Sequence, residues 1–195
     1  MGYGDAPNLK VTLADGRTFA YREVGDPAGG PLLLLQHFRG NLDNWDPALA
    51  DALANGRRVI AFDNAGVGGS DGVTPSTIDA MGLDHLDVLG FSIGSFLAQE
   101  FLVTVPDSLG RVVLASSAPR GAAGVHGWAP DVIGGVGTPN TTPEEYVEVF
   151  FAPSETSKTA GMQALGRMYA RTEDRDAQGT RNHQYAAVCE WGIRS

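Results

Sequence analysis

Gly90-Phe91-Ser92-Ile93-Gly94 stands between the apolar run Leu86-Asp87-Val88-Leu89 and the helix-compatible stretch Ser95 to Val105, and no other feature constrains the fold so strongly. The order is strand, sharp turn, helix: a nucleophile elbow, in which a serine is lifted above the edge of a sheet. So tight a turn needs residues without bulk two places to either side of the serine, which accounts for Gly90 and Gly94. With 26 glycines in 195 residues the pentapeptide carries little weight alone, and its flanks carry the inference.

The rest of the first half supplies a sheet for that turn. Pro31-Leu32-Leu33-Leu34-Leu35-Gln36 is a continuous apolar run, too short for an independent helix and suited to a strand buried on both faces. His37-Phe38-Arg39-Gly40 ends it, and an Ala/Leu-rich helix is expected after Asn44-Trp45-Asp46-Pro47, reaching about Ala54. Arg58-Val59-Ile60-Ala61-Phe62-Asp63 reads as a second buried strand, closed by the glycine-rich turn Asn64 to Asp71. Leu9 to Leu13 and Thr18 to Val24 flank Asp15-Gly16, a hairpin signal that predicts an antiparallel start to the sheet.

These segments, taken in order, resemble the α/β-hydrolase superfamily, in the branch of cofactor-free haloperoxidase-like, esterase-like and peptidase-like enzymes. The resemblance covers residues 8 to 120: the hairpin, the Gln36-to-Gly40 loop, the Asp63-to-Ser70 turn, the elbow, and Val112-Val113-Leu114-Ala115 as the next strand. It implies a doubly wound, mostly parallel α/β sheet with a helical lid. It also implies Ser92 as nucleophile and an oxyanion hole made by the backbone N–H groups of Phe38 and Ile93. No metal or organic cofactor is implied, and the substrate would be a small molecule with an ester or related acyl group.

Two departures from the family pattern stand out. The family orders its triad as nucleophile, acid, histidine, with the last two on later strands. Here Gly121 to Ser195 reads as lid-like helical sequence with no further buried strand, acid-bearing turn or terminal histidine loop, so the C-terminal strands are expected to be missing. Second, only Thr77 to Met81 remains of the crossover helix before Gly82. The expected organisation is a core over 1–120 and a lid over 121–195, with weak or absent activity; the alternative is a non-catalytic hydrolase-like fragment or interaction module. In family topology the strand 111–115 would have further neighbours, so here it is expected to form an apolar edge open to self-association.

Composition narrows the classes further. The chain is 43% hydrophobic and 19% charged, ordinary for a globular domain, and its net charge of −9 argues against nucleic acid. A solitary Cys189 excludes an internal disulfide framework and fits a reducing compartment; with no membrane-length apolar run or signal-like opening, cytoplasm is the expected location, with no membrane partner. Gly66-Val67-Gly68-Gly69 suggests a dinucleotide fingerprint, but Asp71 occupies the place of the third glycine and Pro75 follows soon after.

In the second half, Thr142-Pro143-Glu144-Glu145 is a capping box opening a helix from Pro143 to Phe151. Ser154 or Ser157 starts a second helix reaching Arg171, and a third is expected from Asn182 to Trp191. His37 reads as a loop histidine or a group facing substrate, and His85 as a surface residue at a strand entrance. His126 and His183 fall in the lid, where either could be recruited as a base. Cys189 reads as a small core residue.

Overall fold

An unbroken run of leucines has no polar side to give to water, so it is stable as a strand only with both faces covered. The computed structural model describes residues 1–72, 85–125, 141–171, 188, 189, 191 and 192, and β3 (Pro31–Leu35) runs inside its sheet. Among the described residues the sheet has six strands: β1 (Leu9–Thr12), β2 (Thr18–Gly25), β3, β4 (Arg58–Phe62), β5 (Leu86–Phe91) and β6 (Leu109–Ala115). Their spatial order is β1-β2-β4-β3-β5-β6. β2 lies antiparallel to β1 and β4, and the pairs β3–β4, β3–β5 and β5–β6 are parallel.

Side chains alternate across a strand, and β3 divides its leucines accordingly. Leu32 and Leu34 pack with Val59, Ala61, Trp45 and Tyr3 on one face; Leu33 and Leu35 pack with Ile60, Val88 and Ala98 on the other. Fully burying a leucine side chain contributes about 1.5–3 kcal/mol, so these four make β3 a main source of cohesion for both layers. The first layer is closed by α1 (Pro47–Leu53), which is capped by Asp46: its Oδ1 accepts the Ala48 N–H at 3.0 Å, and Pro47 occupies the first turn, where a missing N–H costs nothing. The second is closed by α2 (Ile93–Thr104), through Ala98.

Residues 141–171 form a helix pair, α3 (Pro143–Phe150) and α4 (Glu155–Tyr169), around a small cluster of Val147, Leu165 and Met168. The capping box is formed: Glu145 N–H donates to Thr142 Oγ1 at 3.2 Å and Thr142 N–H to Glu145 Oε2 at 2.8 Å. Of the two serines that could start α4, Ser154 is the cap. α4 is tied to the sheet layer by Arg167, which grips both carboxylate oxygens of Asp46 at 2.8 and 2.7 Å and holds the Asp46 carboxyl below its ordinary range. Arg171 donates to the carbonyls of Gly4 and Ala6.

The hairpin, β3, β4 and α1 follow the sequence expectation. α2 starts at Ile93, two residues before the expected stretch, because strand passes to helix at Ser92 with no linker. β6 starts at Leu109, earlier than expected. The crossover around Thr77 to Met81 lies outside the described residues, as does most of the helix expected over Asn182 to Trp191, of which Val188, Cys189 and Trp191 are helical. Cys189 is half-buried, not a core residue. No helix among the described residues is long and apolar enough to cross a membrane.

Among the described residues β6 pairs with β5 alone. Val113 and Leu114 are successive and so point to opposite faces, and they are 53% and 39% exposed. An uncovered β-prone edge is a template for another strand. We therefore propose that two copies pair along β6. Sedimentation velocity is expected to show a dimer that grows with concentration, shifted back toward monomer by Val113→Lys; a native chain that stays monomeric at every concentration rules the pairing out.

Candidate active site

The chain passes from β3 to β4 on one side of β3, then returns to β5 on the other. In open parallel sheets such a reversal opens a crevice beyond the carboxyl ends of the strands, between loops that leave in opposite directions. Here those loops are the segment after β3, which carries Phe38, and the turn after β5, which carries Ser92 and Ile93.

Backbone strain collects at the same end of the sheet. Among the described residues four non-glycine residues have positive φ; three of them, Arg39 at 60°, Ser92 at 55° and Ser116 at 51°, follow β3, β5 and β6. Ser92, with ψ −121°, is at once the end of the strand turn and the N-cap of α2. A residue held there costs about 1–3 kcal/mol and persists only where its surroundings fix it. They do: Ser92 N–H donates to Ala115 O at 2.9 Å, and Ser92 O accepts from Ser95 N–H at 2.8 Å and from Ser95 Oγ–H at 2.5 Å.

The flanking glycines are required by close approach. A Cβ on Gly94 would lie 2.2 Å from Leu35 O and 2.7 Å from Gln36 O, and one on Gly90 would lie 2.5 Å from Gly94 O. The elbow backbone is therefore pressed directly against the end of β3, where the Phe38 loop begins. Among the described residues, no hydrogen bond joins Ser92 Oγ to a partner. His37 lies in the facing loop with its ring edge-on to Phe91, centroids 5.6 Å apart. Its Nδ1 is 2.8 Å from Phe38 O; a carbonyl only accepts, so Nδ1 carries the proton and Nε2 keeps its lone pair. Burial lowers its pKa below the usual 6.5, leaving the ring neutral at pH 7.

His85 is far from this crevice. It is exposed at the opposite end of β5, with Nδ1 3.1 Å from Asp107 O, and the intervening strand spans about 20 Å. His126 and His183 lie outside the described residues. A cavity of about 370 Å³ exists between Tyr3, Arg22, Asp43, Trp45, Arg167 and Arg171, but Ser92, Phe38 and Ile93 do not line it and its three arginines are engaged with protein partners. No group of three or more His, Cys, Asp or Glu among the described residues is placed to hold a metal.

Sequence reasoning missed the groups that shape the facing loop. Asp63 is 3% exposed; its Oδ1 accepts Leu42 N–H at 2.7 Å and its Oδ2 accepts Gly69 N–H at 2.9 Å. The Gly66-to-Ser70 turn wraps this carboxylate, with Ser70 Oγ–H donating to Asp63 O at 2.9 Å. Its glycines thus serve an internal anion, which explains their likeness to a phosphate-binding turn. Arg22 is 1% exposed and donates from Nη2 to Asp43 Oδ1 at 2.9 Å and to Asn8 Oδ1 at 2.6 Å. An acid closing a buried strand before a glycine-rich turn was the available signal for Asp63.

The family model for the alpha/beta hydrolase fold matches residues 30–187. This chain belongs to that family. A solved alpha/beta hydrolase fold protein from Chitinophaga pinensis is 36% identical, superposes with a TM-score of 0.88, and is matched over 100% of this chain and 75% of its own. A poly(3-hydroxyalkanoate) depolymerase from Ectopseudomonas oleovorans is 37% identical over 108 residues, 48% of this chain and 37% of that protein. A non-heme chloroperoxidase from Streptomyces lividans is 29% identical over 124 residues, 56% of this chain and 44% of that protein. The chain thus spans less than half the length of these two curated relatives.

The close approach at the elbow sets an expected outcome. Gly94→Ala drives a methyl into the carbonyls of Leu35 and Gln36 at the end of β3, so it should destabilise the fold by about 3 kcal/mol or more in urea unfolding, whereas alanine at Gly16, whose Cβ would meet nothing within 4 Å, should cost far less despite its φ of 86°.

Proposed function

We propose that this hydrolase-fold chain carries out acyl transfer on a carboxylic ester or related small molecule, with Ser92 as nucleophile. Ser92 Oγ bonds to the carbonyl carbon as its proton passes to water, which later returns a proton to the departing alkoxide, and the C=O electron pair moves onto oxygen. Collapse expels the alcohol, and water then cleaves the acyl-serine to carboxylic acid and free Ser92. The N–H groups of Phe38 and Ile93 hold the oxyanion. Gly90 and Gly94 allow the turn, residues 1–120 form the core, and 121–195, including α3 and α4, act as a lid over the crevice. The observation that carries this reading is the strained Ser92 conformation at the strand reversal. A reducing, cytoplasmic setting fits the single Cys189.

A fluorophosphonate probe tests it. Covalent labelling is expected at Ser92 and is lost in Ser92→Ala; equal labelling of the variant sinks the assignment.

A second reading, a non-catalytic module, is favoured by the unpartnered Ser92 Oγ among the described residues. Losing the base of a working triad costs about a million-fold in turnover, while oxyanion contacts and binding retain about a thousand- to ten-thousand-fold over water. Turnover of p-nitrophenyl acetate is accordingly expected to lie orders of magnitude below that of a family member with a full triad. Robust turnover that disappears in His126→Ala or His183→Ala instead identifies a lid histidine as the base.

A further inference from the structure

We propose that Asp63 is a positioning residue for the loop between β3 and α1, its carboxylate clamping that loop to the Gly66-to-Ser70 turn and loosening when it takes up a proton. The loop is held at successive residues: Gln36 Nε2 donates to Asn41 O at 2.5 Å, Asp63 accepts from Leu42 N–H, Tyr3 OH donates to Leu42 O at 2.7 Å, and Arg22 pairs with Asp43. Two of these holds, Leu42 N–H to Asp63 and Arg22 to Asp43, are made to buried carboxylates, and bonds to an ionised acceptor are roughly twice as strong as neutral ones. Its other oxygen takes Gly69 N–H, so one carboxylate joins the two loops directly.

Burial pushes the Asp63 pKa up to about 6, against the opposing pull of the Gly69 and Leu42 N–H bonds; the Asp43 carboxylate adds to the rise and the Arg22 guanidinium opposes it. Tyr3 also senses Asp63, but its phenol is raised and stays protonated here. The sign has a consequence. A carboxyl whose folded pKa lies above its unfolded value of 3.8 adds stability fully only below that value, and loses it as pH rises through about 6. Acidification therefore removes a buried charge and favours the fold on this group's account, while it weakens the two bonds that hold the loop. The loop loosens without unfolding.

Amide NMR on the full chain between about pH 8 and pH 4.5 reads this directly. The Leu42 and Gly69 amides are expected to shift together with a midpoint near 6, and the protection of Leu42 from hydrogen exchange to fall by about tenfold. His37 lies in the loop itself, with Nδ1 against Phe38 O, and burial lowers its pKa below 6.5, so it too could titrate in this range. The shared titration should survive in His37→Gln and vanish in Asp63→Asn. Its loss in His37→Gln, its survival in Asp63→Asn, or a wild-type chain in which neither amide titrates overturns the proposal, and the wild-type measurement stands even where Asp63→Asn fails to fold. The catalytic consequence rests on the reading of Phe38 as an oxyanion donor. Fluorophosphonate labelling of the same samples separates the two: amides that titrate with Ser92 unlabelled at every pH leave the clamp standing and remove the Ser92 assignment.

Discussion

The contact between the Gly94 backbone and the carbonyls of Leu35 and Gln36 is the constraint on which the rest of the site depends. It fixes the height of the turn after β5 relative to the end of β3, with no side chain between to adjust the spacing. Because protein interiors are close-packed, such a contact transmits position rather than absorbing it. Ser92 is consequently placed through its own backbone, by Ala115 O on one side and by the Ser95 N–H and Oγ–H on the other. Its left-handed φ follows from that geometry, since the chain must leave β5 and enter α2 within one residue.

A rigid elbow is useful only if the facing loop is equally fixed, and that loop has few apolar residues with which to fix itself. Leu42 and Trp45 are its buried apolar anchors. Its remaining order comes from polar groups reaching in from three separate parts of the chain: Tyr3 before β1, Arg22 on β2 and Asp63 after β4. Each makes a hydrogen bond to the loop, which offsets the cost of burying it. Breaking the Arg22–Asp43 pair from one side would strand a charge in the interior, which is far more costly than never having buried it.

The division between what sequence discloses and what it hides follows the same line. Leu32 to Leu35, the Asp15-Gly16 hairpin, the Thr142 capping box and the elbow pentapeptide are local signals, each complete within about ten residues, and the observed elements lie where those signals place them. Arg22 shows the limit. It shares the inward register with Ala20 and Val24, so alternation points it at the core, yet its charge argues for water. The contradiction is resolved by Asn8 and Asp43, 14 and 21 residues away, and no periodicity reveals a partner at that distance. Asp63 is hidden for the same reason: Leu42 and Gly69 reach it through backbone N–H groups, which leave no mark on residue type.

Asp43 extends this network toward α4. It faces the buried Arg22 on one side and, at 3.9 Å, Arg171 just beyond α4 on the other. Arg171 in turn holds the carbonyls of Gly4 and Ala6 in the segment that supplies Tyr3. The loop facing Ser92 and the residue just after α4 are thus bound to the same short N-terminal segment and share one carboxylate. Arg167 adds a second link to the same stretch of chain, gripping Asp46 three residues after Asp43. Surface ion pairs alone are worth little, but Asp43 is buried, and a displacement of α4 alters the field at a charge that water does not screen. The position of the helix pair and the set of the loop beside Ser92 are therefore mechanically and electrostatically one arrangement, built from residues that the sequence scatters over more than 160 positions.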